Sequence, residues 1–184
     1  YGLDFGYASD EAAVVAVWKK GDDMWLQQRV YGTGLTDPQL SKEMELAGMR
    51  KGFDDIVADS AEPKAIATLK NLGWTIRGSE KGQDYKRSAA RYLQAHHIHI
   101  LEDSPDLQKE AATWCWKLAP DGETALPIVA DGNDHLIDST IYRVYRPGSL
   151  LTPEQIAGVR TSRAPAITGG RRVVTPLGGN GNGR

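Results

Sequence analysis

The sequence predicts a mixed α/β fold, an antiparallel three-strand meander followed by parallel strands, with helices flanking the sheet. Three features carry that prediction. Up to Val30, residues 1–7 and 24–30 alternate at the two-residue period of a strand, with a β-former run over residues 12–18 between them. Beyond Thr36 the apolar spacing changes to that of helices. Residues 56–58 and 74–76 are then short apolar runs separated by one amphipathic helix, and such a β-α-β unit demands a parallel pair.

The elements follow in order. Residues 1–7 place Leu3, Phe5 and Tyr7 on one face and Asp4 on the other, and residues 12–18 are a run of strong β-formers, so both are predicted strands. Gly21-Asp22-Asp23 is turn chemistry; after it Met24, Leu26 and Val30 alternate with Trp25, Gln27 and Arg29, completing the meander. Thr36-Asp37-Pro38 marks a helix cap with proline in the first turn, opening a helix that runs to Met49. Ile56-Val57-Ala58 suits a buried strand, with Asp59 at its C-terminal end. The next helix starts within residues 60–63, lines up Ala65, Ile66, Leu69 and Leu72, and stops at Gly73. Tyr85, Ala89, Tyr92 and Leu93 mark another helix, residues 98–101 a short strand, and residues 104–116 a further helix. The last helix begins near Asn133 with the stripe Ile137, Ile141, Val144 and Tyr145, and Arg146-Pro147-Gly148 ends it. The division expected is one globular domain over residues 1–167 and a disordered Gly-rich tail over residues 168–184, where apolar content is too low to pack.

Composition narrows the functional classes. A chain of 184 residues, 40% hydrophobic, suits one packed core rather than two domains. No run approaches the ~18 apolar residues that span a bilayer, and no leader-like segment opens the chain, so no membrane association is expected. Cys115 is the sole cysteine; an internal disulfide and a Cys-based metal cluster are both excluded, which fits the cytoplasm. A net charge of -2 argues against attachment to nucleic acid by bulk charge, so any such contact uses local patches. One patch is readable: Lys64, Lys70, Arg77, Lys81, Lys86, Arg87 and Arg91 stand against only Glu80 and Asp84. From Gln155 onward there are five arginines and no acids. A solvated helix face accounts for such charge as well as a phosphate contact does.

Three aspartates stand out by placement: Asp4 inside the first strand, Asp59 at a strand end, and Asp138 at the edge of the last helix's apolar stripe. A carboxylate beside apolar neighbours is costly unless paired or metal-bound. If the first and fourth strands are neighbours, Asp4 and Asp59 converge at adjacent strand ends and Asp138 approaches from the helix. Oxygen donors of that kind suit Mg²⁺ or Mn²⁺, and two ions about 4 Å apart clamp both oxygens of a phosphodiester displacement. Taken alone, Asp59 reads better as a helix-start carboxylate, Asp4 as an exposed strand residue and Asp138 as a solvated helix acid; only their joint arrangement favours a site. His135 shares the edge of Asp138 as a ligand, an orienter or a proton carrier, whereas Asp134 fits helix capping better than metal ligation. His96, His97 and His99 do not have zinc spacing. Asp4-Phe5-Gly6 copies a kinase tripeptide without the other kinase motifs, and no phosphate-binding loop for ATP is present.

Together these residues resemble the nuclease domain of the terminase large subunit, the motor that packages and cuts the DNA of tailed phages. Gly2-Leu3-Asp4-Phe5-Gly6-Tyr7 with Asp10 and the strand after it is similar to that family's opening motif, and Asp59-Ser60-Ala61-Glu62-Pro63-Lys64 to its second. Residues 78–84 resemble a segment that follows, and residues 133–138, a histidine three residues before the last acid, its third. The third motif departs from the family, which commonly has Ala-x-Arg-Tyr after the final acid where this chain has Ser139, Thr140 and Ile141 before Tyr142.

The resemblance implies a ribonuclease H-like fold and two Mg²⁺ or Mn²⁺ ions on Asp4, Asp59 and Asp138, with His135 supporting. It implies endonucleolytic cutting of concatemeric viral double-stranded DNA in the cytoplasm of an infected bacterium. It further implies partners: the ATPase domain of the same large subunit, the small terminase subunit and the portal or procapsid, the isolated domain being monomeric. Lys81, Lys86, Arg87 and Arg91 are candidates to hold the DNA backbone without reading sequence. The rival readings are another ribonuclease H-like nuclease, such as a junction resolvase, and an inactive module that only docks DNA or capsid. An actin-like phosphotransferase lobe is excluded by length, since that architecture needs two such domains.

Overall fold

A computed structural model describes residues 1–145 apart from 7–9, 83 and 131. The elements are β1 (Gly2–Asp4), β2 (Glu11–Lys20), β3 (Asp23–Thr33), α1 (Asp37–Leu46), β4 (Asp55–Ala58), α2 (Pro63–Asn71), β5 (Thr75–Gly78), α3 (Tyr85–Gln94), β6 (His97–Ile100), α4 (Pro105–Thr113), β7 (Trp116–Leu118), β8 (Ala125–Val129) and α5 (His135–Val144). Six strands make one mixed sheet in the order β5-β4-β1-β2-β3-β6. β1, β2 and β3 are the predicted antiparallel meander; β4 adds parallel to β1, β5 parallel to β4, and β6 parallel to β3 on the other edge. The expected α/β class and the adjacency of the first and fourth strands both hold.

The helix boundaries follow from local chemistry. Thr36 N–H donates to Gln39 Oε1 at 2.9 Å, and Pro38 occupies the first turn of α1. Gly73 stops α2 with φ +96°, a backbone that a side chain would strain. Leu72, assigned from sequence to the buried stripe, is instead the C-cap and 36% exposed, because the chain has already turned away from the helix axis.

Each face of the sheet carries its own core. Ala13 and Val15 of β2, with Met24 and Leu26 of β3, pack with residues of α3, α4 and α5; Ala12 and Val14 pack with Leu3, Ile56 and residues of α1 and α2. Val30 joins the second group, not the face of Met24 and Leu26 as its spacing predicted. The cause is a bulge: Val14 pairs with Val30 but Val15 with Gln28, so the extra residue Arg29 shifts the alternation.

Beyond Ile100 the structure departs further from the periodicity. The helix predicted to reach residue 116 ends at Thr113, Trp114 is extended, and Trp116 begins the β7–β8 hairpin. Its turn is built by Asp121, whose Oδ1 accepts the N–H groups of Glu123 and Thr124 at 2.9 Å each, and by Gly122 at φ +73°. The predicted stop at Arg146-Pro147-Gly148, the domain end at residue 167 and the tail lie outside the described residues.

Most consequential is α5. Every residue from Leu136 to Tyr142 is buried, so the helix is not a surface element with one apolar stripe but a buried one. It rests directly on β1: a Cβ on Gly2 would stand 1.9 Å from the Ser139 carbonyl oxygen, so only glycine permits this approach. Its N-terminus is capped by Glu110 of α4, whose Oε2 accepts the N–H groups of Leu136 at 2.9 Å and Ile137 at 3.1 Å. Among the described residues no helix is long and apolar enough to cross a membrane.

Candidate active site

Asp4 ends β1 and Asp59 follows β4 directly, so the parallel pairing of these strands puts both carboxylates at the same sheet end. Asp4 lies on the face opposite Leu3, which is the face that α5 covers, and Asp138 projects from the first turn of α5. Asp4 and Asp138 are buried, whereas the Asp59 side chain retains 17% exposure. The sequence-predicted triad is therefore brought together from two strands and a helix.

The electrostatics register the convergence. Burial, and then the charges of Asp138 and Asp59, push the Asp4 carboxyl up to about 6, against the opposing pull of His135. Burial likewise raises Asp138, though the Lys86 ammonium works against it. Asp59 moves the other way: burial alone would raise it, but the Ala61 N–H, Lys81 and the Tyr142 hydroxyl together hold it below the ordinary carboxylate range.

The remaining contacts complete the site. His135 Nδ1 is 3.1 Å from Asp4 Oδ2 and its Nε2 is 3.5 Å from Glu11 Oε2. Burial lowers the His135 pKa, but Asp4, Glu11 and Glu110 reverse that and leave it raised. Asp59 Oδ1 accepts the Ala61 N–H at 2.8 Å and a bond from Lys81 Nζ; Asp59 Oδ2 accepts the Tyr142 hydroxyl at 3.1 Å. Lys86 Nζ is 2.7 Å from Asp138 Oδ2 and 3.6 Å from Asp134 Oδ2. Asp138 Oδ1 is buried with no hydrogen-bond partner. Among the described residues, no group of three or more His, Cys, Asp or Glu side chains is already arranged to hold a metal ion. The acids stand as electrostatic neighbours with two ammonium groups among them, not as a ready cage.

Of the four basic residues singled out for DNA, Lys81 and Lys86 thus reach into the acid cluster, while Arg87 is half-buried and Arg91 exposed on α3. Asp134 occupies the N-cap position of α5, but the capping role expected of it falls to Glu110: the Asp134 side chain makes no cap hydrogen bond and its carboxylate faces Lys86. His99 pairs with Asp23 at 2.7 Å and stacks on Trp25, a structural role. Sequence reasoning missed Tyr142, Glu11 and Glu110. Tyr142 was within reach, since it stands four residues after Asp138 on the same helix face; Glu11 and Glu110 gave no local signal.

The chain is similar to the large terminase nuclease domain of bacteriophage SPP1 solved with bound Mn, at 25% identity and a TM-score of 0.67, over 77% of this chain and 81% of that one. It also shares its fold with the large terminase of a thermophilic bacteriophage, at 18% identity and a TM-score of 0.60, covering 78% of this chain but only 38% of that protein. The same thermophilic-phage protein in complex with ATP-γ-S superposes equally well, with a TM-score of 0.60. No family model matches the sequence, and no curated protein is detectably similar to it.

Proposed function

We propose that this chain is the nuclease domain of a phage large terminase and hydrolyses phosphodiester bonds of double-stranded DNA with two Mg²⁺ or Mn²⁺ ions held by Asp4, Asp59 and Asp138. The observation that carries this reading is that Asp4 and Asp59 stand at the same end of two paired parallel strands, with Asp138 on α5 near enough for its charge to act on Asp4. The donor set fits hard divalent ions: it is all oxygen. Asp138 Oδ1 is buried without a partner, and Asp4 is strained by the charges of the other two acids, a repulsion that a cation relieves. When bound, such ions supply charge neutralisation at the phosphate and a lowered pKa for water.

The chain's own residues then position. Asp4 is central, since both other acids act on it. His135 orients the Asp4 carboxylate through Nδ1, and Tyr142 orients Asp59 through its hydroxyl. Glu110 fixes the start of α5, and with it the first-turn residues His135 and Asp138. Lys81, Lys86, Arg87 and Arg91 offer charge to the backbone of DNA whatever its sequence. Under this reading the substrate is concatemeric viral DNA in the host cytoplasm, and the partners are the ATPase domain of the same subunit, the small subunit and the portal.

The test is a plasmid-nicking assay with Mn²⁺. Supercoiled DNA is expected to become nicked and linear, with activity abolished by chelator and reduced at least about a thousandfold by Asp4→Asn, as for loss of a group on which a whole catalytic unit depends. Asp4→Asn cutting at the parental rate would overturn the reading. Absence of cutting by either protein favours the docking module, to which the pairing of Lys81 and Lys86 with two of the acids lends its one specific support. Equal or better cutting of branched DNA favours a resolvase.

A further inference from the structure

Two ammonium groups stand where the site's acids converge, and both come from one short stretch of chain. Lys81 lies in the connection between β5 and α3, and Lys86 is in the first turn of α3. Gly82, between them, packs so near α5 that a Cβ there would lie 2.9 Å from the Tyr145 hydroxyl. The stretch thus meets α5 at two places, the C-cap Tyr145 through Gly82 and the first-turn Asp138 through Lys86.

The fit of Lys86 is incomplete in an informative way. An ammonium is a compact point charge on a flexible stem, and it reaches only the lone pairs that it faces. Lys86 faces Oδ2 of both Asp138 and Asp134, whereas the buried Asp138 Oδ1 has no partner. One ammonium faces two carboxylates there, so neither charge nor ligation is complete, and an unsatisfied buried oxygen is costly. The Lys86 side chain is 41% exposed against 11% for Asp138, so the cation has a way out to water and the carboxylate does not.

We infer that Lys86, seconded by Lys81, is a resident counter-cation, and that a divalent ion enters by taking the place of the Lys86 ammonium between Asp134 and Asp138, which makes Asp134 a further acid of the site. The inference rests on the metal-dependent reading above. It has a mechanical consequence: each lysine released from an acid becomes free for a DNA phosphate, so metal and DNA promote one another's binding, as linkage requires.

The experiment is a Mn²⁺ titration in which free ion is followed by its electron paramagnetic resonance signal, on the full chain and its variants, with melting curves in chelator and in Mn²⁺. Lys86→Met removes the competitor, so Mn²⁺ is expected to bind about tenfold more tightly, or about 1.4 kcal/mol. In chelator the same variant melts lower than the parent, and Mn²⁺ raises its melting temperature by more. Lys86→Gln, which keeps a polar group, is expected to show the same signs and serves if Lys86→Met does not fold. Asp134→Asn is expected to weaken Mn²⁺ binding several-fold. If the parent binds Mn²⁺ in a manner lost in Asp4→Asn, yet neither Lys86 variant binds it more tightly, the counter-cation role is overturned and the metal-dependent reading stands. If neither the parent nor any Lys86 variant binds Mn²⁺, both fall together.

Discussion

The two halves of the acid site solve the same problem differently. Around Asp59 the carboxylate is partly open and fully engaged: a backbone N–H, a lysine and a tyrosine hydroxyl all donate to it, and its pKa falls despite burial. Around Asp4 and Asp138 the acids are buried and under-engaged, one leaning on His135, the other on Lys86 with an oxygen to spare, and both are raised. The open half is stable as it stands. The buried half is the one left with raised carboxyls and an unsatisfied oxygen, and under the proposed reading it is the half on which a cation would act most strongly.

The comparison breaks most completely at Gly2. With Ser139 lying where a side chain would begin, Gly2→Ala must lift α5 from β1, carrying His135, Asp138 and Tyr142 away from Asp4 while the turn at Asp59 and Ala61 stays in place. A cost of about 3 kcal/mol is expected from overpacking, seen as a fall in melting temperature of roughly 6–12 °C. An unchanged melting temperature would show that the helix does not rest on the strand.

A pH series sharpens it. Asp4, raised from 3.8 to about 6, and Glu110, raised from 4.5 to about 7, retain protons in the folded state that the unfolded chain has released. Asp138 and His135 are raised as well. All four give the same sign, opposed within the window by the Tyr1 ammonium and His96, whose pKa values burial lowers, and the larger set makes stability without metal decline as pH rises through it. Asp59, lowered, contributes the opposite sign and only as pH falls below its ordinary range. The melting temperature in chelator is therefore expected to drop by several degrees between about pH 5 and pH 7.5, and Asp4→Asn to flatten part of the slope. A rise across that interval contradicts the assignment of the buried half.

The smallest effect belongs to the open half. Asp59→Asn keeps one oxygen for the Ala61 N–H and sets an amide NH2, a donor, against the Tyr142 hydroxyl oxygen, so it loses mainly the charge pair with Lys81 and a stability change within about 1 kcal/mol is expected by denaturant unfolding. A loss several times larger would mean that the two halves do not differ as described.

What the sequence determined by itself was whatever one segment's period and punctuation encode. Alternation announced the meander, the Thr36 cap and Gly73 bounded helices, and apolar runs marked β4 and β5, because these preferences act between residues a few positions apart. Asp4, Asp59 and Asp138 stood out as candidates for the same reason: a carboxylate in an apolar setting is out of place locally. Even the β7–β8 turn has a local signal, in Ala119-Pro120-Asp121-Gly122.

Tertiary structure alone decided the rest. Val30 changed faces because of a bulge that only strand pairing creates, and α5 became buried all round because α4 and the sheet enclose it. Glu110 reached the first turn of α5, and Lys86 reached Asp138, across distances in sequence that no local pattern spans. The physical reason is the range of the forces: period and propensity are properties of neighbours along the chain, whereas burial and charge pairing depend on which segments meet, and those set the state of every acid in the site.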